Sequence, residues 1–432
     1  MIHIIYDIVL HLSIIVLIPF FIVKMITARK YREGIIERFG FIGREKLARL
    51  KSGPLVWVHA VSVGESKAVI PVLKLLKKRR PDVKILFSTV TTTGNRAIQK
   101  DAGSLIDALI YFPLDLSWVV RRVLDATNPA LFVVVEKELW PNLLKALRVR
   151  GVPAIVVNGT ISDRSFRRFK QFGIFFRDIF ASIELFCGRT TDDTRKAIEA
   201  GVIPSRACSF GNLKFDLDPE APSEERLADL KRVLGIAQTD MVIVAGSTHA
   251  GEEVQVIKAF KALRAGRPGL RLIIAPRHPE RFSEVETIIK SAGLVPSRRT
   301  APTGGDVILL DTIGELMTFY AISTLAFVGG SLVENVGGHN LLEPAFFSKP
   351  VVYGAHLTTY LSMAELLEKA GGGFRVDSEE GLTKILKTLL HDEPLAAKAG
   401  AAAKKAVEAN RGAAEKTVEA VVGFLNKKGR NR

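Results

Sequence analysis

From residue 54 onward the chain alternates short runs rich in Val, Ile and Trp with stretches whose apolar residues recur at helical spacing, and it does so twice. A continuous apolar run suits a strand buried on both faces, and helices between such strands cover a parallel sheet from both sides. In the first pass strands are predicted at 54–61 (PLVWVHAV), 83–89, 131–135 and 152–157, with helices over 65–80 and from Pro141. In the second they are predicted at 241–245 (MVIVA), 270–275, 306–310, 325–328 and 350–353. Between the passes, the segment 213–223 (LKFDLDPEAPS) has two prolines, three acids and no sustained period, and reads as a domain linker. At 432 residues the chain exceeds the ~250–300 at which one hydrophobic core stops growing. The expectation is an α/β protein of two tandem Rossmann-like, doubly wound domains, 29–215 and 226–432, joined by a linker at 216–225. Ligands in such sheets sit beyond the carboxyl ends of the strands, so a cleft between the domains is the expected site. The Ala/Lys-rich tail at 395–425 reads as helix, with a return to the first domain open to it.

The charge is unevenly placed. Residues 1–214 hold 34 Lys+Arg against 18 Asp+Glu, the remainder 27 of each, so the whole net +16 lies in the N-terminal half. Zinc-finger spacing, a basic region with heptads and an aromatic ribonucleoprotein box are all missing, and nucleic acid is not an expected partner. An anionic membrane surface or an anionic lipid would be drawn to such a half. The stretch 2–23 (IHIIYDIVLHLSIIVLIPFFIV) would run roughly 33 Å as a helix, near the hydrocarbon thickness of a bilayer. It reads as a membrane anchor over residues 1–28, although Asp7, His11 and Pro19 interrupt it. A signal peptide would need a basic start and a small-residue cleavage site, which are absent. Lys24, Arg29, Lys30, Arg32 and Arg38 follow, which by the positive-inside rule keeps the rest of the chain in the cytoplasm. Two cysteines, Cys187 and Cys208, are too few for a disulfide framework or a thiolate metal site and agree with a reducing compartment.

The loops after the predicted strands carry the candidate chemistry. Ser62-Val63-Gly64-Glu65 opens a helix, so Glu65 either complements the helix dipole or serves as a base. Glu136 and Glu138 at the end of 131–135 alternate with Lys137, which in a strand would turn both acids to one side. They form an acid pair with mutually raised pKa values, or one of them caps the following helix. Gly246-Ser247-Thr248 has the layout of a phosphate-binding turn, without the Gly-Lys-Thr of a P-loop. Arg277 suits a phosphate, a carboxylate or a surface ion pair. Thr312 to Glu315 matches a capping box, in which Glu315 would satisfy only a backbone amide. Gly329-Gly330-Ser331 and Gly337-Gly338-His339-Asn340 would leave amides open as an anion cradle, with Glu343 placed to take the hydroxyls of a ribose. Asp216-Leu217-Asp218 reads as a solvated turn, and no metal cluster is apparent. These residues point to a nucleotide-type ligand on the second domain and a carboxylate base on the first.

Several strings together resemble one family: WVHAVSVGE, ELWPN, GNLKFD, the THxGEE of Thr248 to Glu253, PRHPERF, GELM, and FVGGSLVE followed by GGHNLLEP. They are similar to the 3-deoxy-D-manno-octulosonic acid (Kdo) transferases that add Kdo to a lipid A precursor. The resemblance implies an inverting, metal-independent glycosyltransferase of the GT-B fold, needing no cofactor and anchored at the cytoplasmic face of the inner membrane. It implies CMP-Kdo as donor and an acylated, phosphorylated lipid A precursor as acceptor. On this resemblance Glu65 matches the base that deprotonates the acceptor hydroxyl, and Glu136 and Lys214 the groups that stabilise the transition state. Pro276 and Arg277, then Ile313, Gly314 and Glu315, then Asn340, Leu341, Leu342 and Glu343, fall on positions that hold CMP. Lys137 departs from the small hydroxyl residue expected between the two acids, and the 335–338 loop is one residue longer than expected. The rival readings are a UDP-N-acetylglucosamine-dependent transferase of the same fold, such as a lipid A disaccharide synthase, and a non-catalytic nucleotide-binding module on a membrane tether.

Overall fold

The computed structural model describes residues 2–27, 32–219 and 221–430. The chain divides into two compact units: the first takes residues up to Leu217 together with those from Arg411 onward, and the second takes Asp218–Asn410. In the first, β1 (Leu55–His59), β2 (Lys84–Thr89), β3 (Ala108–Tyr111), β4 (Leu131–Val135), β5 (Ala154–Gly159), β6 (Leu185–Gly188) and β7 (Ala207–Ser209) make one sheet. Its order is β3-β2-β1-β4-β5-β6-β7. In the second, β8 (Met241–Thr248), β9 (Leu270–Pro276), β10 (Pro296–Arg298), β11 (Val307–Leu309), β12 (Leu325–Val328), β13 (Val351–Gly354) and β14 (Gly373–Val376) are ordered β10-β11-β9-β8-β12-β13-β14. Every ladder within both sheets is parallel. The order of each sheet reverses once, between β1 and β4 and between β8 and β12, and loops leaving such a reversal diverge to open a crevice.

The strands at the expected places are buried on both faces, as LVWVH of β1 and LFVVV of β4 demand. Sequence periodicity missed β3, β6, β7, β10 and β14. Four of these are sheet edges, where one neighbour suffices and three or four residues complete the strand.

Two boundaries differ from expectation. Leu213, Lys214 and Phe215 are buried in a 3-10 turn, Leu213–Asp216, so the expected linker begins inside the first unit's core. The second domain, expected to run to 432, ends at Asn410. The last helix, Ala413–Arg430, brings Ala413, Ala414, Val418, Val421 and Leu425 into the same core cluster as Val56, Val58, Leu131 and Val133, helping to cover that face of the first sheet. Asp216 accepts from the amides of Gly412 (2.6 Å) and Ala414 (3.0 Å), so it caps this returning helix and is not a solvated turn.

The anchor segment is a helix, Ile2–Thr27, with Pro19 inside it. Among the described residues no helix is long and apolar enough to cross a membrane. Arg29 and Lys30 lie outside the described residues. The helix is docked on the first unit through its polar interruptions. Asp7 accepts from the Ser117 amide (3.1 Å), the Ser117 hydroxyl (2.8 Å) and Asn142 Nδ2 (2.7 Å), and the Tyr6 hydroxyl donates to Asp115 (3.1 Å). Ile8, Leu12, Ile15, Val16 and Phe20 meanwhile stay exposed. Charged acceptors of this kind contribute about 1.5–3 kcal/mol. Asp7→Ala is therefore expected to destabilise the docking of residues 2–27 by roughly that amount, read as faster amide exchange in this helix with the exchange of β1 and β4 unchanged.

Candidate functional site

At the first reversal, Ser62 caps the helix Val63–Ala68 in a reciprocal capping box. The Glu65 amide donates to Ser62 Oγ (3.3 Å), while Glu65 Oε2 accepts from the amides of Ser62 (3.2 Å) and Val61 (2.6 Å). Among the described residues no hydrogen bond engages Oε1. The side chain is buried, and this burial, followed by the charge of Glu136 and more weakly that of Glu138, raises its pKa against the opposing pull of the two amides. One oxygen therefore caps the helix, as the first reading has it, and the carboxylate lies within electrostatic reach of two other acids.

Glu136 does not continue β4. The strand ends at Val135, and Glu136 turns left-handed (φ 69°), a conformation that costs a non-glycine residue about 1–3 kcal/mol. The alternation expected of a strand therefore does not set the direction of Glu136 and Glu138. Burial lifts the pKa of Glu138, and Lys137 opposes the shift; the expected mutual elevation with Glu136 is not its cause.

Asn158, left-handed (φ 55°) where the β5–β6 register slips, ties the site together. Its Nδ2 donates to Glu136 Oε1 (3.4 Å), and its Oδ1 accepts from the Leu213 amide (3.0 Å), which fixes the turn carrying buried Lys214. Arg189, directly after β6, lies 3.9 Å from Glu136 Oε1 and donates to Thr160 Oγ1 (2.5 Å). Glu65, Glu136 and Lys214 are thus joined within one unit. Asn158 and Arg189 were missed: an asparagine at the end of an apolar strand and a lone arginine after another carry no pattern that marks them.

At the second reversal several of the amides expected to be open are taken. Glu252, fully buried, accepts from the amides of His249 (2.9 Å), Gly330 (2.7 Å), Ser331 (2.9 Å) and Leu332 (2.9 Å). The Gly338 amide donates to Gly330 O (2.7 Å). The 329–331 part of the glycine cradle is thus filled by the protein's own carboxylate, and the amide of His249, next after the expected phosphate turn 246–248, is filled with it. The glycines serve close approach instead: a Cβ on Gly246 would fall 2.0 Å from the Tyr320 hydroxyl. Glu253, also fully buried, holds Arg281 in a two-pronged pair at 2.6 and 3.3 Å.

The capping box expected at Thr312 to Glu315 is not formed. Glu315 is itself the cap residue of Leu316–Ile322, and its carboxylate accepts from the Thr312 hydroxyl and from Arg299 Nη2 (3.1 Å), below an exposed Ile313 and a left-handed Gly314. Pro276 closes β9, and exposed Arg277 follows with its amide on Thr248 O (3.0 Å). Asn340 accepts from the Leu342 amide (3.3 Å) and donates to Glu343 (3.5 Å), while Leu341 and Leu342 are buried. Arg277 and three imidazoles, His249, His278 and His339, come together at this reversal. Among the described residues no group of three His, Cys, Asp or Glu is arranged to hold a metal ion.

Residues 33–217 match the protein family described as 3-deoxy-D-manno-octulosonic-acid transferase (kdotransferase). The chain is 32% identical over 404 residues to the 3-deoxy-D-manno-octulosonic acid transferase of Haemophilus influenzae, covering 92% of this chain and 93% of that one. It is 33% identical over 403 residues to the protein of the same description from Bordetella pertussis, covering 90% and 91%. Among solved structures, a glycosyltransferase from Rickettsia africae matches 87% of this chain with a TM-score of 0.61 at 14% identity. A UDP-GlcNAc 2-epimerase from Neisseria meningitidis bound to UDP-GlcNAc matches 86% with a TM-score of 0.59 at 12%. At such identities the likeness is one of fold, two parallel-sheet α/β domains resembling GT-B glycosyltransferases.

The raised pKa of Glu65 has a checkable cause. Carbonyl-labelled glutamate read by NMR should titrate Glu65 above the ordinary glutamate range, and Glu136→Gln, by deleting a neighbouring negative charge, should lower it. A carboxyl raised in the folded state adds stability at low pH and loses it as pH rises through the folded value. Glu65→Gln should therefore be more stable than the parent at neutral pH, the difference vanishing below the ordinary glutamate range in denaturant melts.

Proposed function

Because the chain belongs to the 3-deoxy-D-manno-octulosonic acid transferase family of glycosyltransferases, we propose that it transfers Kdo from CMP-Kdo to a lipid A precursor, with inversion and without a metal ion. The observation that carries the mechanism is Glu65: one oxygen is held by two amides, and the carboxylate's proton affinity is raised by burial and by Glu136. A base needs a proton affinity above that of a free carboxylate but must still be ionised at working pH. Glu65 takes the proton of the acceptor hydroxyl. The oxygen so freed attacks the anomeric carbon from the face opposite the phosphate, and the sugar–phosphate bond breaks with its electron pair leaving on CMP. Glu136, fixed by Asn158, offsets positive charge growing on the sugar ring, and Lys214 offsets the negative charge of the groups around it. Pro276, Arg277, Ile313 to Glu315 and Asn340 to Glu343 take the nucleotide, with Arg277 on its phosphate.

The acceptor is a lipid, and two features support holding the chain at the cytoplasmic face of the inner membrane. One is the row of exposed apolar residues on the docked helix Ile2–Thr27; the other is the positive excess confined to the first 214 residues. A helix pinned by its polar residues and bare along its apolar ones suits lying in the interface, where apolar burial and attraction to anionic headgroups add.

The direct test is incubation of the full-length chain with a CMP-Kdo-generating system and tetra-acylated precursor, followed by mass measurement of the lipid. Addition of Kdo is expected, unchanged when EDTA is added after CMP-Kdo has been generated and together with the transferase; no added sugar, or a dependence of that transfer step on divalent ions, sinks the reading. Glu65→Gln should keep CMP binding and lose about 10²–10⁴ in turnover, the range a general base supplies. CMP at about a hundred times its Kd should stabilise the protein by about 2.7 kcal/mol. Stabilisation by UDP in its place would favour a UDP-sugar transferase.

A further inference from the structure

We propose that His249 and His339 act as one proton-binding unit at the β8/β12 reversal, taking up a proton as the nucleotide phosphate arrives and thereby supplying positive charge where Glu252 has already taken four of the loop amides. The inference rests on the reading of the second unit as the CMP site. His249 follows β8 directly, and His339 lies in the loop leaving β12, so the two rings meet from the two strands between which the sheet order reverses. Their Nε2 atoms are 2.8 Å apart, and the rings lie 15° from parallel with centroids 5.1 Å apart. Two nitrogens bound to one tetrahedral zinc at ~2.0–2.1 Å would stand about 3.4 Å apart, so 2.8 Å is a hydrogen bond and not a half-made metal site.

A direct Nε2–Nε2 bond constrains the protons. One ring must donate and the other accept, so the pair holds one added proton and not two: a second would leave two donors facing each other. With one added proton the donor ring becomes an imidazolium, and its bond to the neutral partner is charge-assisted and stronger than before.

The surroundings hold the pair neutral while the site is empty. Burial lowers both rings' pKa values, that of His339 to about 4. Arg277 and His278 press the same way on both, and each ring lowers the other or is lowered by it. His278 stands edge-on to His249 at 5.3 Å. Facing His249 as well are Arg281, which lowers it, and Glu253, which raises it; these two are paired to each other. Glu252 is committed to its four amides. An anion seated on Arg277 cancels that cation's effect and adds an attractive charge; an opposite charge within ~4–6 Å moves a pKa by about one to three pH units. The pair then reaches the neutral range and accepts its proton. When the sugar–phosphate bond breaks, CMP leaves with one more negative charge than it carried in the donor, and the added imidazolium charge meets it. No metal, oxidant or further reactant enters this balance.

The test uses the full-length protein with ¹⁵N-labelled histidine and CMP as the probe. It is read from pH 7 to 8.5, above the second ionisation of a phosphate monoester at about 6. Without CMP both rings should be neutral throughout. At pH 7 saturating CMP should protonate the pair, by up to one proton, with the uptake falling away towards pH 8.5, and calorimetry in two buffers of different ionisation heat should register the same uptake. His249→Gln and His339→Gln should bind CMP about tenfold more weakly at pH 7 and with a flat pH dependence, whereas Arg277→Met, which leaves both rings in place, should weaken binding but keep it dependent on pH. Thermal melts check that each variant is folded. CMP binding with both rings still neutral, or undiminished proton uptake in His339→Gln, overturns the proton link alone. A parent protein that does not bind CMP removes the donor reading, and this inference with it.

Discussion

A parallel α/β sheet leaves backbone amides unpaired where each strand hands over to a loop and a helix begins, and this chain meets many of them with its own carboxylates. Glu65 takes the amides of Val61 and Ser62, Asp115 those of Asn142 and Leu143, Asp193 that of Ile161, Asp216 those of Gly412 and Ala414, and Glu252 four at once. Each pairing satisfies donors whose burial without a partner would cost about 1–3 kcal/mol, and each fixes where a loop turns. The same interaction therefore decides what remains for a ligand. In the second unit Glu252 consumes four of the amides at the reversal, so side chains, Arg277 with the imidazoles, take a larger part in meeting an anion there.

The first unit applies the device differently. Glu65 yields only one oxygen to the backbone, and the proximity of Glu136 makes the carboxylate a better proton acceptor than a cap alone would be. Glu136 is held there by a backbone turn that a non-glycine residue adopts only under constraint, and Asn158, itself left-handed, supplies the constraint from β5. Strain at two neighbouring strand ends is thus offset by the sheets and helices behind them, which are packed on both faces.

Much of this was legible in the order of residues. Strands buried on both faces announce themselves because five consecutive apolar residues such as LFVVV have no amphipathic alternative, and Glu65 and Arg277 could be singled out because they stand where such strands end. The pairing of glycines with open amides misled for one of the two strings, because nothing in GGS tells that Glu252, some eighty positions earlier, takes its amides. The capping box at Thr312 failed for a related reason: Arg299 competes for Glu315, and that contact depends on β10, a three-residue edge strand with no periodic signal. The return of residues 411–430 was open but undecided, since the Ala-rich face of that helix fits either sheet until Asp216 caps it.

The two histidines illustrate where motif reading stops and geometry begins. As letters, His249 and His339 belong to separate strings ninety residues apart, each adjacent to residues with a clearer purpose. Folding joins them because β8 and β12 are neighbours at the reversal, although they are far apart in sequence, and because Glu252 draws the loop after β12 onto the amide of His249. A carboxylate that takes four amides thus also brings the imidazoles into contact, so the loss of part of a fixed backbone anion cradle and the gain of a titratable one arise from the same packing.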